Sequence, residues 1–290
     1  MTNRFDPHPM NSVCDVAALV ALGLVADGER RAEVDSTQSL ARRIVADLPR
    51  ERLPYLIVAD RQTAGRGRGE NRWWTGAGSL ALSLVFDPEH YGLERPARPA
   101  RALAVGVALV DALAPVCPGA AIGLHWPNDV FLGERKLAGV LIDILPGERH
   151  ILGLGVNTNN SLAAMAERPS DRTQPADGMP CDEAPSAEVL ARAVSLVDVL
   201  GHEVDHTRLV ASFLERLDAA LRLSAADPPA LGRRFAELCL QIGRRLVVEQ
   251  PGGAATGLCL GIAADGALLL ETDRGVETIY SGTLRRAGSA

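Results

Sequence analysis

Residues 121–157, "AIGLHWPNDVFLGERKLAGVLIDILPGERHILGLGVN", hold four apolar runs, "AIGLHW", "DVFL", "LAGVLIDIL" and "HILGLGVN". Turn chemistry at Pro127-Asn128 and Gly133-Glu134 separates the first three, so the stretch reads as a strand meander. Pro127 restricts the residue before it to extended backbone, which ends the first strand at Trp126 and turns the chain at Asn128-Asp129. Lys136 follows the second turn. It is the only lysine in the chain, and the other 29 of the 30 basic side chains are Arg.

Working outward, "EVDSTQSLARRIVADL" (33–48) predicts a strand end, a turn and a helix. Ser36 or Thr37 is its cap, and Leu40, Ile44 and Leu48 recur along one face. "YLIVAD" (55–60) is a buried strand by its unbroken apolar character, and "GSLALSLVF" (78–86) alternates like a second. Residues 98–114 predict a helix with Ala100, Leu103, Ala104, Val107 and Ala108 on one stripe. Beyond the meander, 163–187 reads as a long surface loop dense in Pro, Asp, Arg and Ser. Helices follow near 187–201 and 207–222, and "SAADPPALG" (224–232) marks a boundary. After about residue 240 the pattern shifts to short strands, "RRLVVEQ", "ATGLCLGIA", "GALLLET" and "GVETIYSG". A barrel of that size is marginal alone and is expected to dock on the main domain. The expected division is an N-terminal extension (1–30), a catalytic domain (31–235) and a small barrel (240–287).

With 290 residues, 47% hydrophobic and 23% charged, the chain is an ordinary globular one. Its net charge of −6 argues against broad binding to nucleic acid or an anionic membrane, so any anion site is local. Cys14, Cys117, Cys181, Cys239 and Cys259 are scattered, odd in number and without a C-x-x-C pair. They read as reduced thiols of a cytoplasmic protein, in neither a disulfide framework nor a zinc site. The apolar run Val16–Ala26 is too short to cross a bilayer, and Asp6 and Asp15 replace the cationic start of a signal peptide.

Four motifs carry chemistry. In "QTAGRGRGENRWW" (62–74), Gly65, Gly67 and Gly69 let backbone approach a ligand closely. Arg66 and Arg68 add planar donors for carboxylate or phosphate, and Trp73 and Trp74 add flat apolar surface. No G-x-x-x-x-G-K-[ST] occurs, which excludes a P-loop. Asn128-Asp129 with Lys136 form a second motif, "GLGVNTN" (153–159) a third and "DST" (35–37) a fourth. Taken singly, these last read equally as turn residues, a strand-to-loop turn and a helix cap.

Together and in this order, "DST", "QTAGRGRGENRWW", "WPNDVFLGERKLAGVLID", "GLGVN" and "DGALLLE" make the chain resemble the biotin–protein ligases, from Glu33 to Arg286. The resemblance implies an α+β fold: a class II aminoacyl-tRNA-synthetase-like mixed sheet flanked by helices, followed by a small SH3-like β-barrel. It implies activation of biotin by ATP to biotinyl-5′-AMP, then transfer to a lysine of a biotin carboxyl carrier domain. Ser36, Thr37 and Gln62 would bind the ureido ring of biotin, with Gly65, Arg66, Lys136 and Gly139 completing the biotin site. Arg66, Arg68, Trp73, Asn128, Asp129, Lys136 and Asn157 would hold ATP and the adenylate, with Lys136, Arg66 and Arg68 catalytic. Mg²⁺ would come with ATP rather than in a protein cage.

On that reading a compact ammonium with three donors would fit between two moving oxygens where a guanidinium fork would not, and this one position is expected to have kept lysine because exchange for Arg fails there. Only some 30 residues precede "EVDST", fewer than a winged helix needs, so no operator binding is expected. The rival reading is a lipoate- or octanoate–protein ligase of the same superfamily, which would need a long apolar tunnel. The assembly is expected to be a monomer or homodimer.

Overall fold

The computed structural model describes residues 13–93, 98–145, 149–167, 185–250 and 252–286. Its larger sheet has seven strands, β1 (Asp27–Val34), β2 (Tyr55–Gln62), β3 (Leu80–Phe86), β4 (Ile122–His125), β5 (Asp129–Leu132), β6 (Arg135–Ile144) and β7 (His150–Val156), in the order β1-β2-β3-β7-β6-β5-β4. Strands β4 to β7 are consecutive antiparallel neighbours, the meander expected from residues 121–157. Only β1 and β2 run parallel, joined by a crossover through α2 (Thr37–Ile44). Strands β3 and β7 are buried at every position, because helices cover both faces of the sheet centre.

On one face α2 lays Ala41, with Val45 and Leu48 just beyond it, against Tyr55, Ile57, Val85 and Ile151. Ser36 is its cap, as the sequence allowed. The other face carries α3 (Arg98–Leu113), α7 (His206–Ala226) and α8 (Pro228–Leu238). A single apolar stripe was expected on α3, yet Leu103, Val105, Val107, Leu109 and Val110 are all buried. The helix lies between the sheet and α7, so residues 103–110 are buried all round. Each such side chain, fully withdrawn from water, contributes about 1.5–3 kcal/mol.

The expected extension 1–30 is corrected for the described part. α1 (Val16–Ala21) and β1 belong to the main domain, and Cys14, Val16, Leu19 and Val25 sit in its core. Charge hid β1 in the sequence, because "DGERRAEV" is an edge strand whose exposed residues deter further pairing. The helix expected at 187–201 is two, α5 (Ala187–Arg192) and α6 (Leu196–Leu200), preceded by α4 (Leu162–Ala166). The chain breaks between α5 and α6 to lie along β6, where the Val194 amide donates to the Lys136 carbonyl at 3.0 Å. Of the loop expected at 163–187, residues 168–184 lie outside the described residues, as does Cys181. At the boundary expected in "SAADPPALG" α7 ends and α8 begins: Asp227 caps α8, and Pro228 and Pro229 fill first-turn positions where no amide partner is needed.

The remaining strands, β8 (Arg245–Gln250), β9 (Gly253–Ile262), β10 (Leu268–Thr272), β11 (Gly275–Ile279) and β12 (Thr283–Arg286), form an antiparallel sheet in the order β11-β10-β9-β8-β12. Trp126 ties this unit to the larger sheet. Its backbone amide donates to Gln241 Oε1 at 2.6 Å, and its indole Nε1 donates to the Gly266 carbonyl at 2.9 Å. Among the described residues, Cys14, Cys117, Cys239 and Cys259 are free thiols, and no helix is long and apolar enough to cross a membrane.

Candidate functional site

A cavity of about 1260 Å³ opens between the β6–β7 surface, the Gly-Arg loop and the C-terminal sheet. Of the site residues expected from sequence, Ser36, Thr37, Gln62, Arg66, Arg68, Trp73, Asn128, Asp129, Lys136 and Gly139 line it. Gly65 and Asn157 do not.

At the closed inner end of the cavity the buried polar side chains of Ser36, Thr37, Gln38 and Gln62 line it beside Leu82 and Leu154. The Thr37 amide donates to Gln62 Oε1 at 2.8 Å, and Gln62 Nε2 donates to Thr75 Oγ1 at 2.9 Å. Ser83 Oγ lies 2.9 Å from Thr37 Oγ1 and 3.0 Å from Gln38 Oε1. Gln38 Nε2 donates to Asp143 Oδ2 at 2.8 Å and to the Ile151 carbonyl at 3.2 Å. Burial alone would raise the Asp143 carboxyl, but hydrogen bonds from Arg42 and Gln38 outweigh it and hold the group below the usual carboxylate range. Sequence reasoning missed Gln38, Ser83 and Thr75. The available signal was Ser83, one hydroxyl inside the apolar run of β3 and wholly buried there, since such a group requires a partner.

The loop 65–73 is a small hairpin. Gly67 N donates to Asn71 O at 2.8 Å, and Trp73 N donates to Gly65 O at 2.9 Å. A Cβ on Gly65 would stand 2.2 Å from the Trp73 carbonyl oxygen, so this position serves the hairpin's closure rather than the cavity wall. Arg68 donates to the Gly282 carbonyl and so clamps the hairpin to the C-terminal sheet.

A β-bulge aims Lys136. Across β5 and β6, Asp129 pairs with Gly139 and Val130 with Ala138, but Phe131 then pairs with Lys136. Leu137, the extra residue, is fully buried, and Lys136 is turned onto the same face as Asp129 and Gly139. There its Nζ is 2.8 Å from Asp129 Oδ1 and 5.7 Å from the centre of the Trp73 ring. Trp73 lies flat over the paired glycines Gly139 and Gly155, where added Cβ atoms would come within 3.2 Å and 2.2 Å of the indole. Asn128 turns its side-chain amide back to the Val140 carbonyl, bracing this corner. His125 stacks on Phe131 with ring centres 3.9 Å apart, adding a flat surface to the outer wall.

Asn157, expected on the nucleotide side, is not among the residues that line the cavity. Its Oδ1 accepts from Asn160 Nδ2 at 3.2 Å, and its backbone amide donates to the Leu137 carbonyl at 3.0 Å. It follows β7 directly and lies beside Leu137 of the neighbouring β6.

The biotin/lipoate A/B protein ligase family model matches residues 34–159, and the biotin protein ligase C-terminal domain model matches residues 242–283. The chain is 28% identical over 258 residues to a bifunctional ligase/repressor BirA from Bacillus spizizenii, covering 87% of this chain and 71% of that one. It is 29% identical over 230 residues to a biotin–[acetyl-CoA-carboxylase] ligase from Mycobacterium tuberculosis, covering 78% and 77% respectively. Among solved structures it resembles a biotin protein ligase from Aquifex aeolicus in complex with biotin and ATP. The TM-score is 0.71 at 26% identity, over 90% of this chain and 99% of that one.

Proposed function

The chain belongs to the biotin/lipoate A/B protein ligase family, and on that premise we propose that it activates biotin with ATP and passes it to a lysine of a biotin carboxyl carrier domain. The observation that carries this reading is one cavity in which a closed polar end, two loop arginines and the only lysine face each other.

In the first step the biotin carboxylate attacks the α-phosphorus of ATP, forming biotinyl-5′-AMP and expelling pyrophosphate. Two anions must approach, so fixed positive charge has to offset their repulsion and the charge that develops in the transition state. Lys136, Arg66 and Arg68 are the groups assigned that role. Asp129 holds the Lys136 ammonium by its ion pair and limits where the flexible chain can carry it. Ser36, Thr37 and Gln62 are assigned the ureido ring, whose N–H donors and strong acceptor match hydroxyl and amide partners. Asn128 and Trp73 are assigned the adenylate, with Mg²⁺ entering on the triphosphate and neutralising part of its charge. In the second step a carrier lysine amine attacks the mixed anhydride and releases AMP. A hairpin clamped over the cavity suits an intermediate that water destroys.

The buried hydroxyl and amide groups of Ser36, Thr37 and Gln62 on this wall favour a polar ring over the alkyl chain of lipoate or octanoate, which would leave their remaining hydrogen-bonding capacity unused. The deciding measurement is pyrophosphate release. Biotin with ATP is expected to produce it and lipoate with ATP is not. No release at any magnesium concentration, or equal release with lipoate, overturns the proposal.

A further inference from the structure

We propose that Gln38, held by Asp143, is a positioning residue that sets the hydrogen-bond direction of the hydroxyls at the closed end of the cavity. This rests on the biotin reading above; Gln38 lines the cavity beside Thr37, whereas Ser83 and Asp143 lie one step behind the wall.

Asp143 is clamped by Arg42, whose Nε reaches Oδ2 at 2.7 Å and whose second nitrogen reaches Oδ1 at 2.7 Å. An ionised carboxylate only accepts, so the amide nitrogen of Gln38 faces it, at 2.8 Å. The other amide proton goes to the Ile151 carbonyl, 3.2 Å away. Both N–H groups are then used, and Gln38 Oε1 must point at Ser83. Gly153 makes the room, because a Cβ there would stand 2.5 Å from that oxygen.

An amide oxygen only accepts, so the single Ser83 proton goes to Gln38 over 3.0 Å. Ser83 Oγ is left as an acceptor 2.9 Å from Thr37 Oγ1, and takes the Thr37 proton. Gln62 Oε1 accepts the Thr37 amide at 2.8 Å and lies 3.2 Å from the Thr37 hydroxyl, so the shorter contact to Ser83 takes the hydroxyl proton. Thr37 therefore turns a lone pair, not a proton, toward the cavity it lines. A urea N–H needs that acceptor. Without Gln38 the Ser83 proton can turn onto Thr37 and reverse the chain, which releases the Thr37 proton toward Gln62 Oε1 or into the cavity, where it opposes a urea N–H.

The test is steady-state pyrophosphate release by the full chain, with biotin and ATP varied separately, alongside thermal melts. Gln38→Met keeps the volume and removes the direction. It is expected to raise the KM for biotin about tenfold, the loss of one hydrogen bond to a ligand, with kcat and the KM for ATP within about twofold. Asp143→Ala frees the amide to flip and is expected to raise the same KM about threefold. Unchanged biotin KM in both variants, with the unsubstituted protein active, overturns this inference alone. So does a loss shared equally by kcat, both KM values and the melting temperature, which marks a packing role. An unsubstituted protein that releases no pyrophosphate with biotin overturns the functional reading, and this inference with it.

Discussion

At the scale of single residues, the site depends on one ammonium and two missing methyl groups. Lys136→Arg keeps the charge but replaces a point with a fork, in a place already bounded by Asp129 at 2.8 Å. Adenylation by that variant is expected to fall at least about a hundredfold with the melting temperature unchanged, measured as pyrophosphate release. Near-normal rates would remove Lys136 from the proposed chemistry. The two glycines beneath Trp73 separate in the same spirit. Gly155→Ala drives a Cβ to 2.2 Å from the indole, and the ring must leave, at a cost of about 1–3 kcal/mol in stability. Gly139→Ala meets the indole at 3.2 Å and the mobile end of Lys136 at 3.4 Å, and is accommodated. Tryptophan emission should shift in the first variant and not in the second. Ten of the twelve expected site positions line the cavity; the Gly-Arg-Trp loop was readable from residue type, whereas Ser36, Thr37, Gln62, Asn128 and Asp129 were placed there by the family resemblance. Gln38 and Ser83 were not readable, since a buried hydrogen-bond chain runs between α2, β3, β6 and β7 and leaves no periodic trace.

At the scale of elements, what the sequence concealed were elements whose pattern answers to distant partners. Strand β1 is charged because it is an edge, and the break between α5 and α6 exists because Val194 hydrogen-bonds to Lys136. The bulge at Leu137 is legible only once β5 and β6 are set side by side. Asp-Pro-Pro commonly ends structure, and here it ends α7 and also begins α8, which the sequence did not reveal. The Asp227 side chain accepts from the Ala230 amide at 3.0 Å. Asp227→Ala is accordingly expected to cost about 1 kcal/mol in urea unfolding, a normal value for a lost helix cap. No change would mean that the two prolines alone start the helix.

At the scale of the whole molecule, buried His206 links stability to pH. The ring is 4% exposed, and burial pushes its pKa down to about 4, against weaker opposing effects of Asp205 and Asp60. The Thr158 hydroxyl donates to the Gly78 carbonyl at 2.8 Å, so its oxygen is free to accept from His206 Nε2 at 2.7 Å, and the neutral ring is satisfied. The unfolded chain takes up this proton near pH 6.5 and the folded one only near 4, so stability falls as pH drops through that window. Roughly 3 kcal/mol is the upper size of the effect, and His206→Gln should flatten that slope in denaturant titrations between those pH values. An equally steep slope in the variant would assign the pH dependence to other groups. The amino-acid sequence by itself determined the meander, the buried strands, the small C-terminal β unit and which side chains could do chemistry. Each of those follows from local periodicity or from residue types with narrow uses. Only the tertiary structure decided that residues 13–34 complete the sheet, that Lys136 faces Asp129 and Trp73, and that the cavity ends in a directed hydrogen-bond chain. Edge position, bulge register and polar satisfaction are properties of pairs far apart in the chain, and become defined only when those pairs meet.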